Sequence, residues 1–173
     1  KQKAEKKLPL WFETKNIFYP KKINLEQTSS EATALYKTNI IAGNSIIDLT
    51  GGFGIDCTYF SKSFKEVYHC EMNEEISDIV KYNCKTFGVK NIETHKGDSL
   101  ETLKTLNKKF DWIYIDPSRR NDAKGKVFLL TDCLPNVPEN LDFLFQYSNQ
   151  ILIKNSPILD ITSTINELKF VKE

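Results

Sequence analysis

The sequence predicts an α/β fold in which helices cover both faces of one parallel sheet. Short apolar runs alternate with helical patterns along the chain, a glycine-rich turn follows the first run, and an acidic residue ends or follows each of the first four. Parallel strands need long crossover connections, usually helices, so strict alternation favours a doubly wound sheet. The chain has 173 residues, 40% of them hydrophobic, which is enough for one core of ordinary size.

The first predicted strand, residues 45–49, ends in a turn of small residues. The stretch from Thr50 to Gly54 contains three glycines and is too small and flexible to continue the strand. A helical pattern begins at Ile55 and runs to Ser63. A strand, a glycine turn and a helix in this order leave unpaired backbone amides at the start of the helix, which favours a site for a nucleotide-like ligand.

The other predicted elements follow the same alternation. A helix before the first strand opens at Thr28, where Thr-Ser-Ser-Glu fits a capping box closed by Glu31. Asn73 caps a helix whose apolar residues recur at three and four positions until Gly88. Further strands are predicted at 66–71, 92–96, 111–116 and 150–154, and further helices at 99–106, 140–146 and 160–168. The last five residues resemble the opening of a sixth strand.

The acidic residues at the strand ends indicate a ligand site. They are Asp48, Glu71, Asp98 and Asp116. Because the carboxyl ends of parallel strands share one edge of the sheet, these side chains should lie near one another where such folds bind ligands. Turn-forming Asp often ends a strand for structural reasons alone, but four strand ends in succession favour a functional role.

A nicotinamide or flavin dinucleotide is the first alternative ligand, and the glycine spacing disfavours it. Its fingerprint requires Gly-x-Gly-x-x-Gly. Here Gly51, Gly52 and Gly54 are followed by Cys57 in place of the last glycine. Asp48, directly before the turn, would also repel a pyrophosphate, whereas it suits a ligand that carries positive charge.

The string DLTGGFG, residues 48–54, resembles the first motif of class I S-adenosylmethionine-dependent methyltransferases in the form Asp-x-Thr-x-Gly-x-Gly. Glu71 stands 23 residues after Asp48, at the position of the acid that binds the ribose hydroxyls in that family. The strings LEQTSSEATALYK and DPSRR are similar to bacterial RNA methyltransferases that carry a THUMP-like accessory domain. The resemblance covers residues 28–168 and implies a Rossmann-like methyltransferase fold with S-adenosylmethionine as the cofactor.

The resemblance also assigns roles to residues. The implied cofactor-binding residues are Asp48, Thr50, Gly51, Gly52, Gly54, Glu71 and Asp98, and the implied catalytic residues are Asp116 and Pro117. Asp98 would bind the adenine amine, and Asp48 the ammonium of the methionine moiety, directly or through water. Two departures from the pattern concern Thr50, which replaces the usual first glycine, and Ser118-Arg119, which replace the proline and aromatic residue of amino-methylating relatives.

The positions of the two arginines in the sequence indicate what kind of substrate the protein binds. Of 24 basic residues, 22 are lysines, and the two arginines, Arg119 and Arg120, stand side by side after the implied catalytic motif. A guanidinium can stack on a base or bind a phosphate, although two surface ion-pair residues would look the same in the sequence. With Lys124, these arginines are the predicted substrate-binding residues, at the start of a long loop that should face the substrate.

The chain divides into a basic N-terminal arm, residues 1–27, and a cofactor-binding domain, residues 28–173, which is expected to lack the last strands of the sheet. Residues 1–22 contain seven lysines and two glutamates, so the arm could contact phosphates or simply be solvated. Its aromatic residues could stack on bases, but they more commonly pin such a segment to the core. They are Trp11, Phe12, Phe18 and Tyr19.

Several classes of function are disfavoured. The sequence shows no signal peptide or membrane-spanning stretch, which favours a cytoplasmic protein. The four cysteines are too widely spaced for a metal site and should be reduced packing residues, and His69 and His95 should have structural roles. The sequence therefore predicts a methyltransferase with RNA as its acceptor. A small-molecule methyltransferase and a non-catalytic module that binds S-adenosylmethionine or RNA stay open, and a dinucleotide oxidoreductase comes last.

Overall fold

The computed structural model describes residues 2–20, 28–119, 129–157, 159–168 and 170–172, and it confirms the predicted α/β fold. Within these ranges, five parallel strands form the main sheet in the order β3-β2-β1-β4-β7. These strands are β1 (Gly43–Asp48), β2 (Phe64–Glu71), β3 (Ile92–Lys96), β4 (Trp112–Ile115) and β7 (Ile151–Ile153). Strand order reverses at β1, which pairs with both β2 and β4, so the carboxyl end of β1 is the switch point where ligands bind in such sheets.

Helices connect the strands and cover both faces of the sheet. They are α1 (Gln2–Lys7), α2 (Pro9–Glu13), α3 (Glu31–Ile40), α4 (Ile55–Phe60), α5 (Glu74–Thr86), α6 (Ser99–Leu106), α7 (Val137–Leu144) and α8 (Ile161–Glu167). A 3-10 helix spans Leu130–Asp132, and two short antiparallel strands pair after β4, namely β5 (Ser118–Arg119) and β6 (Cys133–Leu134).

The core lies on both sides of the sheet because strand side chains alternate between its faces. Ile47 of β1 packs with Leu103 of α6 and Leu141 of α7, whereas its neighbour Ile46 packs on the other face with Phe60 of α4. The four cysteines are buried, as expected for packing residues. Among the described residues, no helix is long and apolar enough to cross a membrane.

The helix before β1 begins differently from the prediction. It starts at Glu31, and Ser30 caps it by accepting a hydrogen bond from the Thr33 amide at 3.1 Å. The predicted capping box at Thr28 is therefore wrong. The Glu31 carboxylate turns inward instead, where it accepts hydrogen bonds from the Leu10 amide and the Tyr59 hydroxyl, both at 2.7 Å. One partly buried and one buried donor satisfy this carboxylate, which is itself 8% exposed.

Two differences concern the second half of the chain. Helix α7 begins at Val137, three residues before the predicted start, because Asn136 caps it and Pro138 is tolerated in its first turn. In the described part of the segment between β5 and α7, residues 129–136, the 3-10 helix and β6 replace part of the long loop expected from the sequence. Residues 170–172 are not a strand, contrary to the predicted opening of a sixth.

The N-terminal segment, defined here as residues 8–20, packs on the domain. Trp11 is 1% exposed and lies against the rings of Tyr59 and Phe87. Trp11 thus has the core-pinning role expected for the aromatic residues, whereas the Phe12 and Phe18 side chains are exposed. Tyr19 is 40% exposed, with its ring against that of Phe53. The division of the chain at residue 27 stays a prediction, because residues 21–27 lie outside the described residues.

A buried polar cluster joins α3, α4 and β4 beneath the carboxyl end of the sheet. The Lys37 ammonium lies 2.6 Å from Asp56 Oδ1 and donates to the Tyr114 hydroxyl, also at 2.6 Å. Ser29 and Tyr114 each donate to Asp56 Oδ2, at 2.7 and 3.0 Å. All four residues are less than 8% exposed. Each charge is compensated by a partner, as buried charges must be.

We expect Lys37→Met to lower the free energy of unfolding by about 3–5 kcal/mol, because it leaves Asp56 buried without its cation. Urea unfolding followed by circular dichroism measures this change. The double variant Lys37→Met/Asp56→Asn should recover part of the loss. Lys104→Met is the control, since the Lys104–Glu101 ion pair is exposed and should contribute little. A loss no greater than that of Lys104→Met would show that Lys37 does not compensate the buried charge of Asp56.

Candidate cofactor and acceptor site

Asp48 lies behind the glycine turn rather than on its open side. It is 1% exposed, and its Oδ1 accepts hydrogen bonds from the Thr50 amide and hydroxyl at 2.9 and 3.2 Å. The Cys57 thiol donates to the other oxygen. These contacts show that Asp48 organises the start of the turn and of α4. Its burial leaves the carboxylate little open surface for a ligand ammonium, and the predicted contact, direct or through water, stays a prediction.

Burial, and next the nearby carboxylate of Asp56, raise the pKa of Asp48 to about 7. The Thr50 amide, the Cys57 thiol and the Lys37 ammonium act in the opposite direction. The Cys57 pKa is raised well above its ordinary value by burial and then by Asp48. Asp48 is thus a carboxyl group that gains or loses its proton near neutral pH.

Each glycine of the turn has its own geometric reason. A Cβ on Gly51 would lie 2.3 Å from the ring of His69, and a Cβ on Gly54 would lie 2.8 Å from Val80. Gly52 and Gly54 also have positive φ angles of 50° and 76°, which side chains disfavour. A Cβ on Gly52 would have no atom nearer than 3.7 Å, so the backbone there borders open space that a ligand can enter.

Glu71 is attached to the glycine turn at the end of β2. One carboxylate oxygen accepts from the Gly52 amide at 3.0 Å, and the other accepts from the Asn73 amide at 2.7 Å. A carboxylate has about four acceptor sites, so these two bonds orient Glu71 and leave acceptor capacity for a ligand. The backbone carbonyl of Glu71 also accepts from the Gly97 amide at 3.0 Å, which brings the end of β3 to the same edge.

Asp98 caps helix α6 at that edge. Its Oδ1 accepts from the amides of Leu100 and Glu101 at 2.9 and 3.0 Å, and the residue is exposed. A groove of about 350 Å³ lies beside it, lined also by His95 and Thr102. Capping explains why an acid stands here, and the exposure of Asp98 leaves it accessible to a ligand as well.

Asp116 lies beside the glycine turn, at the end of β4. Its amide donates to the Thr50 hydroxyl at 2.7 Å, and its Oδ2 lies 2.5 Å from the Lys154 ammonium at the end of β7. Burial raises the pKa of Asp116, while Lys154 is the main influence that lowers it. Pro117, which follows, is buried. The catalytic pair predicted from the sequence therefore adjoins the predicted cofactor residues.

The predicted substrate residues are partly outside the described structure. The backbone of Arg119 lies in β5, paired with Cys133, three residues beyond Asp116. Arg120 and Lys124 fall among residues 120–128, which lie outside the described residues. Their substrate role stays a prediction.

Two residues near the site were not predicted to belong to it. His69 Nε2 donates to the Gly52 carbonyl at 3.0 Å, and burial lowers the pKa of this histidine, so its expected structural role is supporting the glycine turn. Lys154 closes an apolar strand in the sequence. Ile115 pairs with Ile153 in the sheet, so the residues that follow them, Asp116 and Lys154, lie side by side.

His95 stacks on Tyr68, in keeping with a packing role. Among the described residues, no cluster of three or more His, Cys, Asp or Glu could hold a metal ion.

The family described as "Conserved hypothetical protein 95" matches residues 29–137, well over half of the chain and including the glycine turn, Glu71, Asp98 and Asp116. The chain belongs to this family. A curated relative from Saccharolobus solfataricus, "Probable cobalt-precorrin-6B C(15)-methyltransferase (decarboxylating)", is 30% identical over 97 residues, which are 54% of this chain and 49% of that protein.

Solved structures agree with the fold. A "putative methyltransferase" from Porphyromonas gingivalis W83 has a TM-score of 0.83 and 30% identity, covering 96% of this chain and 41% of that one. An O-methyltransferase from Bacillus cereus, solved in complex with SAH (S-adenosylhomocysteine), has a TM-score of 0.57 and 16% identity, covering 90% of this chain and 66% of that one. The chain thus has the Rossmann-like fold of class I methyltransferases, as predicted, and spans about half or less of the first two of these relatives.

The raised pKa of Asp48 predicts a pH-dependent stability. A carboxyl group with a pKa near 3.8 when unfolded and about 7 when folded binds its proton more tightly in the folded protein. Its stabilising contribution is therefore complete below pH 4 and is lost as the pH rises through 7. Relative to Asp48→Asn, the wild-type protein should lose roughly 2–4 kcal/mol of unfolding free energy over this interval.

Urea unfolding of both proteins at pH values from 4 to 8 measures this difference, since other titrating groups contribute equally to both. Glu75→Gln, on the exposed face of α5, should parallel the wild type throughout. A constant difference between wild type and Asp48→Asn across the interval would show that Asp48 does not titrate there.

Proposed function

We propose that this domain binds S-adenosylmethionine at the carboxyl edge of its sheet and transfers the methyl group to an acceptor beside Asp116. The observation that carries the proposal is the hydrogen bond between the Gly52 amide and the Glu71 carboxylate, which joins the glycine turn to the acid of β2. The methyltransferase relatives and the family match support it.

The residues present fit this cofactor. Glu71 has acceptor capacity for ribose hydroxyls, which form charge-assisted hydrogen bonds with carboxylates. The open space at Gly52 lets the backbone approach the cofactor, and the exposed Asp98 can accept from the adenine amine. Asp48 acts from behind the turn, by holding Thr50 and through it the backbone. The cofactor supplies an activated methyl group, so the protein chiefly has to position the acceptor.

Asp116 is the residue that orients the acceptor. Its carboxylate can accept a hydrogen bond from the N–H or O–H of the group to be methylated. Lys154 favours the ionised form of this carboxylate, because the ammonium opposes the effect of burial on the Asp116 pKa. The backbone bond to Thr50 sets the distance between the acceptor group and the cofactor turn.

RNA is the acceptor that the basic residues favour. Arg119 follows Asp116 closely in β5, and Arg120 and Lys124 continue the basic stretch in the sequence. Such side chains bind phosphates and stack on bases. A small-molecule acceptor is the second candidate, favoured by the curated relative, whose printed name gives a precorrin substrate. A non-catalytic module would bind the cofactor without transferring its methyl group to any acceptor.

The cofactor assignment predicts that Glu71→Gln binds SAH about tenfold more weakly than the wild type, because neutral hydrogen bonds replace charge-assisted ones to the ribose. Isothermal titration calorimetry measures the affinity. Glu75→Gln, four residues further along the chain and exposed, is the matched control and should bind normally. An unchanged affinity of Glu71→Gln would remove Glu71 from the cofactor site.

The catalytic assignment predicts that label from [methyl-³H]-S-adenosylmethionine enters RNA and that Asp116→Ala reduces this incorporation at least about 100-fold, since general acid–base groups contribute on that scale. Total RNA, protein and metabolite pools are incubated separately with enzyme and counted. Asp78→Asn, on the exposed side of α5, should match the wild type. Label in metabolites alone would select the small-molecule acceptor, and label in none of the pools would select the non-catalytic module.

A further inference from the structure

The ring of Phe53 connects the glycine turn to the N-terminal segment. Phe53 lies between Gly52 and Gly54 in the turn, and its side chain points away from the open space at Gly52 into an apolar cluster, where it is 6% exposed. The rings of Trp11 and Tyr19 lie 6.4 and 5.6 Å from it, centroid to centroid. Two aromatic residues of the segment therefore hold the one bulky side chain of the turn.

Hydrogen bonds fasten this segment to the domain at both of its ends. Near its start, the Leu10 amide donates to Glu31, whose other oxygen accepts from Tyr59 of α4. Near its end, the backbone of Phe18 exchanges two hydrogen bonds with the buried side chain of Asn83 in α5, at 2.9 and 3.0 Å. The Tyr19 hydroxyl also donates to the Trp11 carbonyl at 2.9 Å, which fixes the two rings relative to each other.

We propose that the N-terminal segment is a working part of the cofactor site, in which Trp11 and Tyr19 are positioning residues that hold Phe53 and thereby keep the glycine turn in its cofactor-binding conformation. This inference rests on the proposed function. It assigns the segment a role in cofactor affinity, beyond the phosphate contact or solvated arm expected from its charge.

Preorganisation of the turn is the physical basis of this role. A turn of glycines has many accessible backbone conformations, and ordering it on binding would weaken the affinity for the cofactor. A buried aromatic ring in the middle of the turn removes much of that freedom before the cofactor arrives. Because coupling between two equilibria is reciprocal, docking of the segment should strengthen cofactor binding, and the bound cofactor should hold the segment more firmly in place.

Calorimetric titration of SAH into four full-chain proteins tests the proposal: wild type, Trp11→Ala, Trp11→Phe and Phe12→Ala. We expect Trp11→Ala to bind about tenfold more weakly, within the usual range of such coupling. Trp11→Phe should restore most of the affinity, because the indole N–H has no hydrogen-bond acceptor among the described residues and the replacement loses only ring area. Phe12→Ala is the matched control, since Phe12 is 41% exposed on the same helix.

Amide hydrogen exchange of the wild-type protein gives a second measurement if Trp11→Ala does not fold. Saturation with SAH should slow exchange at the amides of Leu10 and Phe12, which donate to the Glu31 carboxylate and the Leu8 carbonyl in the docked state. Equal SAH affinity in all four proteins, or unchanged exchange at these amides with SAH bound, would overturn this inference alone. Failure of SAH to bind the wild-type protein would overturn the proposed function and this inference with it.

Discussion

The hydroxyl group of Thr50 is the contact on which the arrangement of the candidate site depends. It donates to Asp48 at the end of β1 and accepts from the Asp116 amide just beyond β4. One side chain thus sets the distance between the turn proposed to hold the cofactor and the acid proposed to orient the acceptor. The glycine usual at this position of the motif could form neither hydrogen bond, so the departure at Thr50 adds a contact that the common form of the motif lacks.

Beneath this contact lie several buried charged side chains. Lys37 pairs with Asp56 beneath the turn, and Asp56 in turn contributes to the raised pKa of Asp48. Burying such groups is costly, and their exchange for apolar residues often stabilises a protein, so stability alone does not explain them. Their directional hydrogen bonds instead specify how α3, α4 and β4 fit together. This rigid base supports the turn from within, while the aromatic rings of the N-terminal segment support it from outside.

The sequence was sufficient to predict the sheet, since β3 and α6 have the predicted bounds and the four acids end or follow the first four strands in order. These features follow from local patterns. The inward turn of Glu31 and the ion pair of Lys154 with Asp116 depend on residues distant in the chain, so a local pattern could not reveal them. The start of α7 was missed for another reason: the predicted helix began after Pro138, although a helix accepts proline in its first turn.

The pairing of Arg119 with Cys133 joins the two ends of a chain segment directly beside Asp116. A segment closed at its base in this way can gain or lose residues at small entropic cost, because closure entropy grows slowly with loop length. Natural variation could therefore remodel this segment without shifting β4, which Asp116 directly follows. Homologous chains could in this way differ in the ligand that this segment contacts while keeping the sheet edge beside it unchanged.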